Sequence, residues 1–314
     1  MIILISLCSN DYFRQAKILT INMKKVFCIL YLVSLFVIPG CGTKETKPQA
    51  GTVVRDTLTG VPCCVYLPYN YARRAGEEVF PVLYLQHGMY GSENDWTQQG
   101  RLVESMDSLL AIGEVTEMVV VMPDNFLGSV PPAERKALMA RPNITPDGEP
   151  FDTSKGAAHW RKLTSEQEKS YEMSSYWEAH FPQFMAEAEQ RYSISREPAH
   201  RALAGLSMGG FHTMHVSHHL PGQFSCIGLF SPAVIPTAPN EIYDHWEDEV
   251  RKTLAYEPVY WIGIGREDFL YDYVQRYRQW LEANNLEYTY YESQGGHTWS
   301  NWQDYICRFM KKIH

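Results

Sequence analysis

The chain has 314 residues, 45% of them hydrophobic and 20% charged, with a formal charge of −8, an ordinary globular composition long enough to bury a sizeable core. Residues 1–40 carry Arg14, Lys17, Lys24 and Lys25 against Asp11 alone, so the remainder holds 24 of the 28 basic and 35 of the 36 acidic groups. Such a surface repels phosphate backbones, and no basic track runs through the sequence, which argues against nucleic-acid binding.

Met23-Lys24-Lys25 precedes an apolar run from Val26 to Ile38 and then Pro39-Gly40-Cys41-Gly42. A short basic stretch, about a dozen apolar residues and small residues at the cut make a secretory signal over 23–40. The run falls short of the ~20 residues that span a bilayer, and it has no polar face of the kind a surface-packed helix shows. Residues 1–22 read as an upstream extension before the true start at Met23. Ile38-Pro39-Gly40-Cys41 resembles the bacterial lipoprotein box. That resemblance implies lipidation of Cys41, a flexible tether over 41–51, and an exported lipoprotein held at the cell envelope, at the outer membrane, by its lipid alone. Beyond Cys41 come Cys63, Cys64, Cys226 and Cys307. Export permits a disulfide, but Cys63 and Cys64 are neighbours on one predicted strand and face opposite ways. No metal-type spacing appears, and all four read as small buried apolar residues.

From there β-rich runs are predicted over 61–67, 82–86, 117–122, 201–204, 225–230, 259–264 and 287–291. Helical patterns fall between them over 100–112, 175–192, 209–219 and 271–284, with a last one over 302–312. Phe181, Phe184, Met185 and Ala188 recur at the three-to-four spacing of an amphipathic helix. Strands alternating with helices predict an α/β fold, with a mostly parallel central sheet flanked by helices on both faces, as a single domain over 52–314. One stretch breaks the alternation. Residues 127–173 are polar, hold Pro131, Pro132, Pro142, Pro146 and Pro150, and show no period. They are expected to form a long insertion over the C-terminal edge of the sheet, where open α/β sheets bind ligands.

Gly205-Leu206-Ser207-Met208-Gly209 is a G-x-S-x-G string with a predicted strand before it and a helix after it. The bare string is common by chance, and the context makes it specific. In a turn this sharp a side chain at either glycine would strike neighbouring backbone, while the serine oxygen is pushed out toward the positive end of the helix. Ser207 is therefore the candidate nucleophile. A serine needs a base, itself held by an acid, and this arrangement runs in chain order Ser, Asp or Glu, His. Downstream, His212, His215, His218 and His219 fall on the helix after the turn, His245 in a polar loop and His314 at the terminus. His297, in Gly295-Gly296-His297-Thr298-Trp299 after the last strand, is placed to return over the sheet as the base. Glu267, Asp268 and Asp272 all follow the 259–264 strand and are open as the acid. Leu85-Gln86-His87-Gly88-Met89-Tyr90-Gly91 can turn backbone N–H groups toward the cleft. An oxyanion would then be received by Met89 and by Met208, the residue after the serine.

These parts together resemble a bacterial esterase family that includes feruloyl and acetylxylan esterases, enterochelin-type siderophore esterases, S-formylglutathione hydrolase and the mycolyltransferases. Besides the serine turn, the resemblance is carried by Val65-Tyr66-Leu67-Pro68, Pro81-Val82-Leu83-Tyr84-Leu85-Gln86-His87-Gly88, Gly91-Ser92-Glu93-Asn94-Asp95-Trp96, Val119-Val120-Val121-Met122-Pro123-Asp124 and Gly295-Gly296-His297-Thr298-Trp299. It spans about 52–312 and implies an α/β-hydrolase that needs no cofactor, with Ser207, Asp268 and His297 as its triad. The 127–173 stretch matches no pattern of the family. The implied substrate is a small ester or an acylated oligosaccharide, with siderophore esters and transfer of the acyl group to an alcohol as alternatives. His87, Tyr90, Trp96 and Trp299 are the candidate substrate contacts, His87 also as an orienting residue of its loop. Trp160 is a weaker candidate and Trp302 is assigned to the core. The histidines of the 209–219 helix have metal-like spacing but belong to a helix packed in the sandwich, and no metal is expected there. A carbohydrate-binding lipoprotein on a disabled esterase scaffold is the rival of another class, opposed by the presence of every triad part.

Overall fold

The structure, a computed structural model, describes residues 50–89, 91–128, 164–234 and 246–314. Its strands are β1 (Thr52–Leu58), β2 (Val61–Leu67), β3 (Val82–Gln86), β4 (Val119–Pro123), β5 (Arg201–Leu206), β6 (Cys226–Phe230), β7 (Val259–Gly265) and β8 (Thr289–Ser293). They form one sheet in the order β1-β2-β4-β3-β5-β6-β7-β8. The pairs β1/β2 and β2/β4 are antiparallel, and every pair from β4/β3 to β7/β8 is parallel. The α/β expectation holds. β3, β4, β5 and β6 are buried along their whole length, as continuous apolar runs must be when helices cover both faces.

The helices are α1 (Leu102–Ala111), α2 (Thr164–Arg191), α3 (Met208–His219), α4 (Trp246–Leu254), α5 (Tyr271–Ala283) and α6 (Trp299–Met310), with single turns at Tyr71–Arg74, Asp95–Gln98 and Asn125–Gly128. One apolar layer joins Tyr84, Val121, Leu203 and Ile262 of the sheet to Phe181 and Phe184 of α2, Met214 of α3 and Tyr277 of α5. The other joins Leu85, Val120, Ala204 and Trp261 to Met106 of α1 and to Tyr305 and Phe309 of α6. Cys63 lies in the first layer and Cys64 in the second, so the neighbouring thiols do face opposite sides of β2. These two, Cys226 and Cys307 are free thiols, the first three buried, and burial pushes the Cys63 thiol up to about 12.

Three features differ from the sequence expectation. β1 is an additional strand: its residues alternate around Arg55 and Asp56 on an exposed edge, without the apolar run that marks the others. α4 is an additional helix that buries only Val250 and Thr253. α2 begins at Thr164 rather than near 175, so the aperiodic stretch ends earlier than 173. The sequence of its first half, Thr164 to Ser175, is almost wholly polar and has no apolar stripe to betray a helix. Residues 1–49, with the expected signal and Cys41, lie outside the described residues, as do Tyr90, Trp160, His245 and most of the 127–173 stretch.

Candidate active site

The parallel register lines up the C-terminal ends of five strands, β3, β5, β6, β7 and β8. Gln86 sits opposite Gly205, Leu206 opposite Phe230, Phe230 opposite Gly263 and Gly265 opposite Ser293. The chain therefore leaves β3 into His87, β5 into Ser207, β7 into Asp268 and β8 into His297 along a single edge, the edge at which open α/β sheets hold ligands.

Ser207 joins β5 to α3 with φ 53° and ψ −116°, a backbone state that costs roughly 1–3 kcal/mol for a non-glycine residue. The surroundings hold it there. Its N–H donates to Phe230 O at 2.9 Å, and its carbonyl accepts from Ala233 N at 3.0 Å and from Phe211 N at 3.1 Å, the first turn of α3. The flanking glycines are required as expected. A Cβ on Gly205 would overlap the Gly209 carbonyl, and one on Gly209 would stand 2.6 Å from Gln86 O and overlap the carbonyl of His87. Met208 opens α3, so its N–H has no carbonyl of the same helix to bond.

The β3 loop presses against this turn. A Cβ on Gly88 would come within 2.7 Å of Leu206 Cδ1 and 3.5 Å of Ser207 Cβ, which sets the loop at Gly88, the residue before Met89, against the serine turn, and Gly91 N bonds Gly88 O at 3.2 Å. Asn125, just beyond β4, fastens the loop: its Oδ1 accepts His87 N–H at 2.9 Å and its Nδ2 donates to His87 O at 3.2 Å. The His87 ring is fully buried, with Nδ1 2.7 Å from Gly88 O and Nε2 3.5 Å from Asp124 Oδ1. The latter contact lacks hydrogen-bond geometry. These contacts are those of an orienting residue. Below it, Gln86 receives Trp177 Nε1–H at 2.8 Å and donates to Thr213 Oγ1 at 3.2 Å, and Thr213 donates to Gly209 O at 2.7 Å. A buried polar chain thus runs from α2 through β3 to the first turn of α3.

Beyond β7, Asp268 is buried and its Oδ2 lies 2.9 Å from His297 Nδ1, while its Oδ1 accepts Leu270 N–H at 2.9 Å. Glu267 and Asp272 are exposed. Of the three carboxylates left open by sequence position, Asp268 is the one joined to the imidazole. The His297 loop is held by Glu267 N donating to Gly295 O at 3.0 Å and Asn301 Nδ2 donating to Gly296 O at 2.8 Å. The His297 ring neighbours two aromatic rings, Phe269 with its centroid 4.6 Å away and Trp302 4.8 Å away and edge-on.

Trp299 is half-buried near His297, stacked edge-on against Trp302 and Trp96 with centroids 5.1 and 5.3 Å away. Trp96 corrects its expectation as a cleft-lining contact. It is 1% exposed, with Nε1 donating to Gln86 O at 3.1 Å and its ring against Phe230, so it supports Trp299 from beneath. Trp302 is core as expected, with Nε1 donating to Ser231 Oγ at 3.2 Å. His212, His215 and His218 are buried in the sandwich, and burial pushes each down to about 3. No metal-type cluster occurs among the described residues. Sequence reasoning missed Asn125 and Phe269. The only trace of the first is a polar residue directly after a fully apolar strand, and of the second an aromatic residue next to the candidate acid.

The Esterase family model matches the chain over 59–131 and 132–312. A curated relative, the endo-1,4-beta-xylanase/feruloyl esterase of Xylanibacter ruminicola, is 28% identical over 187 residues, covering 57% of this chain and 20% of that protein. The chain thus spans about a fifth of that relative. Among solved structures, the ferulic acid esterase of the anaerobic fungus Anaeromyces mucronatus in complex with ferulic acid superposes with a TM-score of 0.60 at 21% identity, covering 86% of this chain and 93% of that one. The S-formylglutathione hydrolase of Staphylococcus aureus does so with a TM-score of 0.59 at 17% identity, covering 84% and 96%. At these identities the likeness is one of fold.

Proposed function

Because the chain belongs to the Esterase family, an α/β-hydrolase fold, we propose that it is a carboxylic ester hydrolase working through Ser207, His297 and Asp268. The observation that carries this reading is the 2.9 Å bond from His297 Nδ1 to the buried Asp268 carboxylate, on the same sheet edge as the strained serine turn. Asp268 fixes the imidazole with Nε2 free to accept a proton. Ser207 Oγ attacks the ester carbonyl carbon as His297 takes its proton, and the oxyanion is received by the N–H groups of Met208 and Met89. The bond to the alcohol oxygen then breaks, and His297 returns the proton to the departing alcohol. Water, deprotonated by His297, releases the acid from the acyl-serine.

For the substrate, the feruloyl esterase in the name of the curated relative and the ferulic acid complex of a neighbour support an acylated carbohydrate, carrying feruloyl or acetyl groups. The apolar run before Pro39-Gly40-Cys41 supports a site of action at the cell envelope, with a lipid on Cys41. Replacing Cys41 by Ser should release the protein from the membrane fraction, and retention there would refute the anchor.

The test of the activity is hydrolysis of p-nitrophenyl acetate, p-nitrophenyl butyrate and methyl ferulate beside a Ser207→Ala control. Serine-dependent turnover that favours methyl ferulate supports the phenolic ester. Preference for acetate favours an acetyl esterase, and no turnover of any of them by folded protein rejects the reading.

A further inference from the structure

Among the described residues, Val53, Tyr69, Val79, Ile112, Tyr256 and Phe269 are large hydrophobic side chains left exposed. Scattered exposure of that kind needs no explanation by itself. Phe269 differs in position. It is 62% exposed, yet its ring lies 4.6 Å from the His297 ring, whose other aromatic neighbour, Trp302, is buried. Its backbone is fixed at both ends: Asp268 N donates to Gly265 O at 3.1 Å, Leu270 N to Asp268 Oδ1 at 2.9 Å and Tyr271 N to Asp268 O at 2.9 Å. The turn that holds the carboxylate on His297 therefore also holds an aromatic face in solvent beside the same imidazole.

Chemistry decides which part of a substrate meets that face. The imidazole that takes the serine proton must hand it to the leaving oxygen, so the alcohol half of the ester lies against His297. The acyl half lies on the far side of Ser207 Oγ. A residue flanking the histidine and open to solvent is placed to touch the alcohol, and an aromatic face suits the C–H face of a sugar ring. We infer that Phe269 forms the alcohol-side subsite and stacks on the sugar ring of an acylated carbohydrate, so that it sets specificity for the alcohol rather than the acid. This rests on the esterase reading above and adds the part of the substrate read at His297.

The test compares two ferulate esters that differ only in the alcohol: methyl ferulate and a feruloyl ester of a monosaccharide. They are assayed with the wild type, Phe269→Ala, Phe269→Trp and Ser207→Ala. The quantity read is the ratio of kcat/KM for the sugar ester to that for the methyl ester. Phe269→Ala should lower this ratio about tenfold, the loss appearing mainly in KM, and Phe269→Trp should restore most of it. Because the ring is exposed, the melting temperature should stay within a degree or two of wild type. An unchanged ratio in Phe269→Ala, with the wild type active on both esters, overturns the subsite alone. Wild-type rates equal to those of Ser207→Ala on both esters overturn the esterase reading and the subsite together.

Discussion

Asp268 divides its two carboxylate oxygens between the His297 imidazole, 2.9 Å from Oδ2, and the backbone N–H of Leu270, 2.9 Å from Oδ1. The second bond locks the carboxyl plane, so the first can hold the imidazole in one tautomer. Asparagine in its place offers an amide N–H to Nδ1 and leaves the proton on Nε2, the nitrogen that must accept from the serine. Asp268→Asn should keep the fold and lower kcat by roughly 10⁴, the scale seen when a triad acid is so replaced, with KM little changed. Steady-state kinetics on methyl ferulate check this, and a kcat within tenfold of wild type would contradict it.

The β3 loop depends on Asn125 in a similar way. Its side chain both accepts from His87 N and donates to His87 O, and nothing else described here ties those two backbone groups to β4. Asn125→Ala leaves a buried N–H without its partner, a cost of about 1–3 kcal/mol, and frees the segment that carries Met89. Expected is a fall in kcat of roughly 10- to 100-fold together with a lower melting temperature. A loss of stability with kcat intact would mean that the loop does not present an oxyanion donor.

Much of this was legible in the residues, for a physical reason. The buried parallel strands are continuous apolar runs, and a strand, a tight turn and a helix around Ser207 leave few alternatives, since Gly205 and Gly209 have carbonyl oxygens where a Cβ would stand. Position in the sequence could not choose among Glu267, Asp268 and Asp272, because all three fall within the same few residues. Only the turn closed by Leu270 N and Gly265 O buries one of them. β1 and α4 escaped because edge elements bury too little to carry a period. Trp96 was misassigned because nearness in sequence to the oxyanion loop says nothing of which layer a ring enters, and this one entered the core.

The helix after the serine turn carries a pH liability. His212, His215 and His218 are buried and pushed down to about 3, the first cause in each case being burial, and neither ring nitrogen of His218 has a hydrogen-bond partner. In the unfolded chain each titrates near 6.5. Between about pH 6.5 and 3 the unfolded state therefore binds protons that the native state refuses. Stability is fully present above 6.5 and falls with acidification, by on the order of 1 kcal/mol per pH unit for each such group. Glu178, 3.8 Å from His215 Nδ1, works in the opposite sense. Burial, and then the charge of Glu249, push it up to about 8, so its contribution is greatest at acid pH and is lost as pH rises from about 4.5 to 8. One carboxyl offsets only part of three imidazoles. Melting temperatures should hold or rise slightly from pH 7.5 to about 6.5, where Glu178 alone of the four acts, and then fall from 6.5 to 4.5, and His218→Leu should flatten that fall while raising stability at pH 7.5. Parallel curves for the two proteins would contradict the assignment.

Covalent capture tests Ser207 as the nucleophile most directly. A fluorophosphonate is attacked at phosphorus by an activated serine oxygen with loss of fluoride, leaving a stable adduct without any need to know the natural ester. Intact-mass measurement after incubation should show a single adduct per chain on the wild type, mapped to the peptide containing Ser207, and none on a folded Ser207→Ala variant. An adduct that persists in Ser207→Ala, or no adduct on folded wild type, would contradict the account.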